Sequence, residues 1–169
     1  MPKMDLQAII NKKTIHNVDI DGEWLLPTTV SDKSFISSSI GGSFLEKIRF
    51  VSTTFTKHWE KENRYSECHF FNCTFSECEL KEIDYSNCIF ELCTFKNCYL
   101  FELSFTQSIL KNITFSGSEI SSFIIVESNI SDIKSLNNTY ERHGHYKFDK
   151  MPSSETLSIL NSIGVTKYF

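Results

Sequence analysis

A large apolar residue at every fifth position constrains this chain more than any other feature of its sequence. The series reads Phe70, Phe75, Leu80, Tyr85, Phe90, Phe95, Leu100, Phe105, Leu110, Phe115, Ile120, Ile125 and Ile130 without a break. In a chain that is 40% apolar, thirteen consecutive hits arise by chance about once in a hundred thousand trials, so the period is real. Two residues ahead of each member runs a second series, Cys68, Cys73, Cys78, Ile83, Cys88, Cys93, Cys98, Leu103, Ser108, Ile113, Ser118, Phe123 and Ser128, most of them small. A period of five fits neither a 3.6-residue helix nor a simple alternating strand. A solenoid accommodates it. If each pentad makes one side of a coil, its large residue and the small residue two earlier point inward together, as same-face residues of an extended segment do. Read at intervals of twenty, Ile83, Leu103 and Phe123 form a column of large residues, whereas Cys68, Cys88, Ser108 and Ser128 form a small one, as do Cys78, Cys98 and Ser118. Size therefore repeats best at four pentads per coil.

The triplets Cys73-Thr74-Phe75, Cys78-Glu79-Leu80 and Cys98-Tyr99-Leu100 place a small residue, any residue, and then Phe or Leu. In this the chain resembles the pentapeptide-repeat proteins over at least 70 contiguous residues. The resemblance implies an all-β fold, a right-handed quadrilateral β-helix, and the handedness comes from the family alone.

Length and composition suit one domain of 169 residues,. Fifteen Phe against six Gly is unusual for a β-rich chain, and an internal Phe ladder accounts for it. No apolar run approaches a membrane span, and residues 1 to 20 lack the hydrophobic core of a signal peptide, which points to the cytoplasm and away from membranes. Residues 1–14 read as an N-terminal tail. The β-helix spans 15–135, with 15–35 an irregular end because Lys13, Glu23 and Lys33 stand where inward side chains belong. At 56–64 the pattern fails, since Glu60 takes the large apolar slot and His58 the small one. This stretch reads as a charged loop offering Trp59 to a partner, or as a bulged side with Trp59 on the wall.

Residues 136–169 read as a capping or dimerisation module containing a short C-terminal α-helix. Ser153 or Ser154 is a candidate cap, Pro152 stands at an acceptable first-turn position, Leu157, Leu160 and Ile163 share one face, and Gly164 stops the helix. The segment Met151 to Val165 is similar to the C-terminal module of one family branch, the quinolone-resistance and gyrase-poison self-immunity proteins. That resemblance implies a homodimer through Leu157, Leu160 and Ile163, and a rod that imitates duplex DNA in width and charge.

Six cysteines invite three readings. Pairs twenty apart would stack near disulfide range, yet with Cβ separations longer than preferred. A zinc cluster would need thiols converging from different walls. Reduced core residues suit a small buried position, and this is the expected state. His143 and His145 are a weak metal pair, Glu79, Glu82 and Asp84 lack any sign of a pocket, and no nucleophile or phosphate-loop motif occurs. Neither catalysis nor a cofactor is expected.

Charge is more informative. Residues 65–132 hold ten acids and three lysines, a net −7, while the whole chain is −4, so the remainder carries +3. An acidic rod repels nucleic acid and attracts a basic groove. Glu77, Glu79, Glu82, Asp84 and Glu102 would supply phosphate-like charge, and Phe71, Ile89, Tyr99, Phe101 and Ile109 face outward. The expectation is a non-catalytic protein that protects or modulates DNA gyrase or topoisomerase IV by DNA mimicry. An interaction scaffold or secreted effector with no topoisomerase role is the alternative.

Overall fold

The computed structural model describes residues 11–25, 27–148 and 151–167. Its backbone is a stack of parallel three-residue strands whose partners lie twenty residues apart, as in Phe75 on Phe95 and Leu80 on Leu100. Four walls result. The first is centred on Ile15, Phe35, Phe55, Phe75, Phe95 and Phe115. The second carries Ile20, Ile40, Glu60, Leu80, Leu100 and Ile120, and the third Leu45, Tyr65, Tyr85, Phe105 and Ile125. Val30, Phe50, Phe70, Phe90, Leu110 and Ile130 make the fourth. Two longer strands, Glu79–Ser86 and Tyr99–Thr106, run from the second wall into the third. The chain is thus a four-sided parallel β-solenoid closed by one short helix.

Corners explain why five residues suffice for a side. Every fifth residue from Asn17 to Asn137, Pro27 apart, has φ between +47° and +65°. One left-handed residue per pentad turns the chain through each corner. Gly, Asn and Asp accept this conformation with least strain, and Asn17, Gly22, Asp32, Gly42, Asn72, Asn87, Asn97, Asn112, Gly117, Asp132 and Asn137 follow that preference,. Leu92, at φ 58° and with no polar group to offset the strain, does not.

Inside, the ladder residues stack ring on ring. Centroids are 4.7 Å apart for Phe55–Phe75 and Phe75–Phe95, 4.4 Å for Phe70–Phe90, and 5.0 Å for Tyr65–Tyr85 and Tyr85–Phe105. Such contacts contribute about 0.5–1.5 kcal/mol each beyond burial. All ten expected ladder residues from Phe70 to Phe115 are buried.

The companion position does more than fit. Ser108 Oγ accepts the Cys88 amide at 3.0 Å and donates to the Tyr85 carbonyl at 3.2 Å, and Ser118 treats Cys98 and Phe95 alike. Each of the six thiols points at a carbonyl in the preceding coil, Cys78 Sγ at Phe55 O (3.2 Å) among them. A small side chain with a hydrogen-bonding atom therefore ties adjacent coils from within, which alanine could not do. All six cysteines are free thiols.

Three boundaries need correction. The strand Thr14–His16 already pairs with Ser34–Ile36, and Asp19–Asp21, Trp24–Leu25 and Thr29–Ser31 pair with the coil above, so the described strands of 15–35 belong to the ladder; the first ten residues of the expected tail lie outside the described residues. Glu23 and Lys33 stay half-buried while their carbonyls still join the ladder, accepting from Phe44 and Thr54. The stretch 56–64 is not a loop. Trp59–Lys61 pairs in register with Ser39–Gly41 below and Glu79–Lys81 above.

Past the expected end at 135 the solenoid continues, through Lys134–Leu136 and Thr139–Tyr140. One extra residue then shifts the pairing offset from twenty to twenty-one, setting His145 on Ile124. Gly144 sits there because a Cβ would lie 2.0 Å from the Phe123 carbonyl oxygen. The helix Ser154–Ser162 is capped by Ser153, whose Oγ accepts the Thr156 amide at 3.2 Å, and the strand Val165–Lys167 stacks on Gly144–Tyr146. Leu160, Ile163 and Val165 join the core, with Leu157 and Ile159 partly buried against it. Two of the three residues expected at a dimer seam thus serve first as the plug of this chain's own tube.

Candidate functional site

With the tube filled, chemistry is confined to the outer walls and the corners. The five expected acidic residues do not form one patch. Glu62, Glu82 and Glu102 occupy equivalent left-handed corners between the second and third walls, one per coil, and make a vertical column about 4.8 Å in pitch,. Asp84 stands beside that column on the third wall. Shallow grooves flank it. One is lined by Glu62, Arg64, Glu82 and Asp84, the next by Glu82, Asp84, Glu102, His143 and His145. Glu79 lies on the second wall against Lys81 at 2.5 Å, and Glu77 sits at a different corner, 3.8 Å from Lys57. The structure therefore brings Glu82, Asp84 and Glu102 together and leaves Glu77 and Glu79 apart.

Sequence reading missed Glu62, because the presumed loop removed it from the ladder count. It also missed Lys61, which reaches Glu62 at 2.8 Å and Glu82 at 3.8 Å and neutralises the lower end of the column. Glu62, by hydrogen bond and charge, raises the Lys61 ammonium above its ordinary pKa, and Glu79 does the same to Lys81. Carboxylates in the upper part, around Asp84 and Glu102, have no ion pair among the described residues.

Trp59 lies on the second wall with its ring against the next coil, where a Cβ on Gly41 would sit 3.5 Å from Cζ3. Two coils above, Tyr99 and Phe101 are side by side with parallel rings, Lys81 over the first at 5.1 Å and Arg142 over the second at 5.7 Å.

The most polar place in the molecule is inside it. Glu60, only 2% exposed, accepts from Tyr65 Oη at 2.7 Å and Asn63 Nδ2 at 3.3 Å on one oxygen, and meets His58 Nε2 at 3.1 Å on the other. Asn63 also bridges Ser43 N and Ile40 O, performing the companion role of its column. His58 Nδ1 has no partner, which favours the tautomer that carries the proton on Nε2,. Burial first, then the Glu60 charge, pushes the Tyr65 phenol far above its usual range. All four of these residues are buried. Its work is to satisfy a carboxylate in the core. Among the described residues, no three His, Cys, Asp or Glu side chains are placed to hold one metal ion, and no helix is long and apolar enough to cross a membrane.

No family model matches the sequence, and no curated protein matches it. Solved structures do align with it. HetL, a pentapeptide-repeat protein involved in heterocyst differentiation regulation from the cyanobacterium Nostoc sp. strain PCC 7120, aligns at 10% identity and TM-score 0.49, covering 82% of this chain and 73% of HetL. QnrB1, a plasmid-mediated fluoroquinolone resistance protein, aligns over 90% of this chain and 100% of its own at 10% identity and TM-score 0.34. Rfr23, a pentapeptide-repeat protein from the cyanobacterium Cyanothece 51142, gives 12% identity and TM-score 0.34 over 76% and 88%. The assignment rests on the chain itself. With a five-residue repeat, four repeats per coil, a left-handed corner in each and paired inward ladders, the chain has the fold of the pentapeptide-repeat proteins.

Proposed function

We propose that this protein is a non-catalytic protector or modulator of a type II topoisomerase, DNA gyrase or topoisomerase IV, which it engages in the cytoplasm as a DNA mimic. The observation that carries the reading is the corner column. Glu62, Glu82 and Glu102 recur at one coil each with Asp84 alongside, so negative charge is laid along the rod at a fixed pitch, as phosphates are along a strand,. A basic groove that accepts duplex DNA attracts such a column by the same long-range field. From Thr14 to Tyr140 the solenoid makes a little over six coils, roughly 30 Å of rod, equivalent to about nine base pairs. End-to-end pairing of two copies at the helical cap doubles that length. Since Leu160 and Ile163 are already buried, the pairing uses the half-exposed Leu157 side of the helix.

A supercoiling assay with gyrase, with and without a fluoroquinolone or a peptide poison, tests this reading. Protection or inhibition at micromolar protein, abolished by Glu82→Lys/Asp84→Lys/Glu102→Lys and kept by Glu77→Lys, is the expected result. Absence of either effect from the unaltered protein overturns the topoisomerase reading in favour of a scaffold or effector. Light scattering of Leu157→Asp checks the dimer, because that substitution lowers a dimeric mass without opening the core.

A further inference from the structure

On the second wall, one coil lacks outward side chains of any size. Its residues Ser39, Gly41 and the corner Gly42 lie between a coil bearing Asp19 and Asp21 and a coil bearing Trp59 and Lys61, all paired in register. The effect is a transverse groove, lined by Asp19, Asp21, Gly41, Gly42, Trp59 and Lys61, with Glu62 at its corner end. A Cβ built on Gly41 would lie 3.5 Å from Trp59 Cζ3 and 3.7 Å from Asp21 Oδ1, so a single flat group over Gly41 meets the ring at van der Waals distance and the carboxylate within contact.

The two walls differ in chemistry. Trp59 forms one, leaning over Gly41 and remaining 38% exposed, so that part of its ring is open to a ligand. Asp19 and Asp21 form the other. Ser39 donates its hydroxyl to Asp19 Oδ1, which fixes that carboxylate and leaves its second oxygen open. No ion pair engages Asp19 or Asp21 among the described residues, and Lys61 is drawn away toward Glu62 and Glu82. An aromatic face opposite two unneutralised carboxylates, over a floor without side chains, complements a flat cation. Guanidinium matches both walls, stacking on indole while donating in pairs to carboxylate, whereas ammonium is a hydrated point charge.

We infer that this groove is a docking site for an arginine side chain of a partner protein. The site meets the corner column only at its Glu62 end, beside Lys61, and does not include Glu82 or Glu102; it holds whether or not the partner is a topoisomerase.

Trp59 is one of two tryptophans, so a Trp24→Phe background isolates its emission. Titration with a tri-arginine amide is expected to give a saturable change, at least ten-fold tighter than with the uncharged tri-citrulline peptide and at least three-fold tighter than with tri-lysine. Asp19→Asn/Asp21→Asn is expected to weaken the arginine peptide at least five-fold, and Glu82→Gln/Glu102→Gln to leave it unchanged. Gly41→Ala adds a Cβ in ordinary contact with Trp59 and Asp21, so it makes the groove shallower without straining the fold, and it too is expected to weaken binding. Equal responses to arginine and citrulline, or to arginine and lysine, overturn the assignment. So does a loss at Glu82→Gln/Glu102→Gln as large as the loss at the groove. A gyrase assay that fails while Trp59 still titrates removes the topoisomerase reading and leaves the groove standing.

Discussion

Two adjacent coils on the second and third walls follow the same path and are filled with opposite chemistry. In the lower coil His58, Glu60, Asn63 and Tyr65 build a hydrogen-bonded cluster around a buried carboxylate; directly above, Cys78, Leu80, Ile83 and Tyr85 occupy the equivalent positions. Strand register does not change between them, and the corners at Glu62 and Glu82 have φ of 57° and 53°. The backbone course is therefore set by the left-handed corners and the inter-coil ladder. The core must be full and every polar atom in it satisfied, but it need not be hydrocarbon.

Exchanging the chemistry of the two coils is the strongest way to break that comparison. Leu80→Glu puts a carboxylate into the upper coil, where Cys78 and Ile83 replace His58 and Asn63 and only the Tyr85 hydroxyl matches a donor of the lower one. A buried charge so poorly partnered costs about 3–5 kcal/mol, and loss of the cooperative transition in urea is expected.

Removing one donor from the lower coil has a smaller effect. Tyr65→Phe takes the 2.7 Å hydrogen bond from Glu60 and should destabilise by about 1–3 kcal/mol in chemical unfolding. The triple change His58→Cys/Glu60→Leu/Asn63→Ile copies the upper coil into the lower and removes the carboxylate with two of its three partners, leaving Tyr65 placed as Tyr85 is above. It should restore stability to within about 1 kcal/mol of the original or exceed it, as replacement of buried ionic groups by packed apolar ones commonly does. A triple variant as unstable as Tyr65→Phe would show that the cluster holds the path and not merely itself.

Alkaline pH sharpens the contrast. Burial, then the Glu60 charge, raises the phenols of Tyr65 and Tyr85 well above their ordinary value. The folded tube keeps both neutral while the unfolded chain ionises near pH 10, so their contribution is intact below that pH and is lost above it. The loss is about 1.4 kcal/mol per pH unit for each tyrosine. Unfolding midpoints between pH 8 and 11 should fall less steeply above pH 10 in Tyr65→Phe and in Tyr85→Phe. Because each phenol stays protonated in the folded tube across this range, the two variants should flatten the slope equally.

The smallest effect tests the shared corners. Leu92 adopts φ 58° while 46% exposed, so Leu92→Asn should gain about 0.5–1 kcal/mol in thermal unfolding by relieving backbone strain without loss of packing.

The ladder from Phe70 to Ile130 was legible because its period cannot be met by any common element. Glu60 was not, since a hydrophobic template scores a carboxylate as a miss. A usable signal stood beside it: His58, Asn63 and Tyr65 keep the phase of the inward positions and carry the donors that a carboxylate requires. The corners left a signal as well, in the Asn, Gly and Asp residues two places after the ladder positions. The N-terminal coils were harder to read, because Glu23 and Lys33 join the ladder through backbone atoms that every residue possesses. Of the candidate site, the acidity was readable from composition. Its division between a corner column, a separate corner at Glu77 and a lysine-paired Glu79 depends on which side chains share a corner, and that follows only once four sides per coil are laid out in space.

The six thiols lie in vertical pairs at the middle of the rod, each no more than 3% exposed and turned toward the carbonyls of the coil before it. An alkylating reagent can reach them only when those coils part, so the rate of modification times the opening of the rod's centre independently of fraying at its ends. Two labels acquired together by Cys68 and Cys88 would mean that neighbouring coils separate as a unit, and labels acquired one by one that the stack peels.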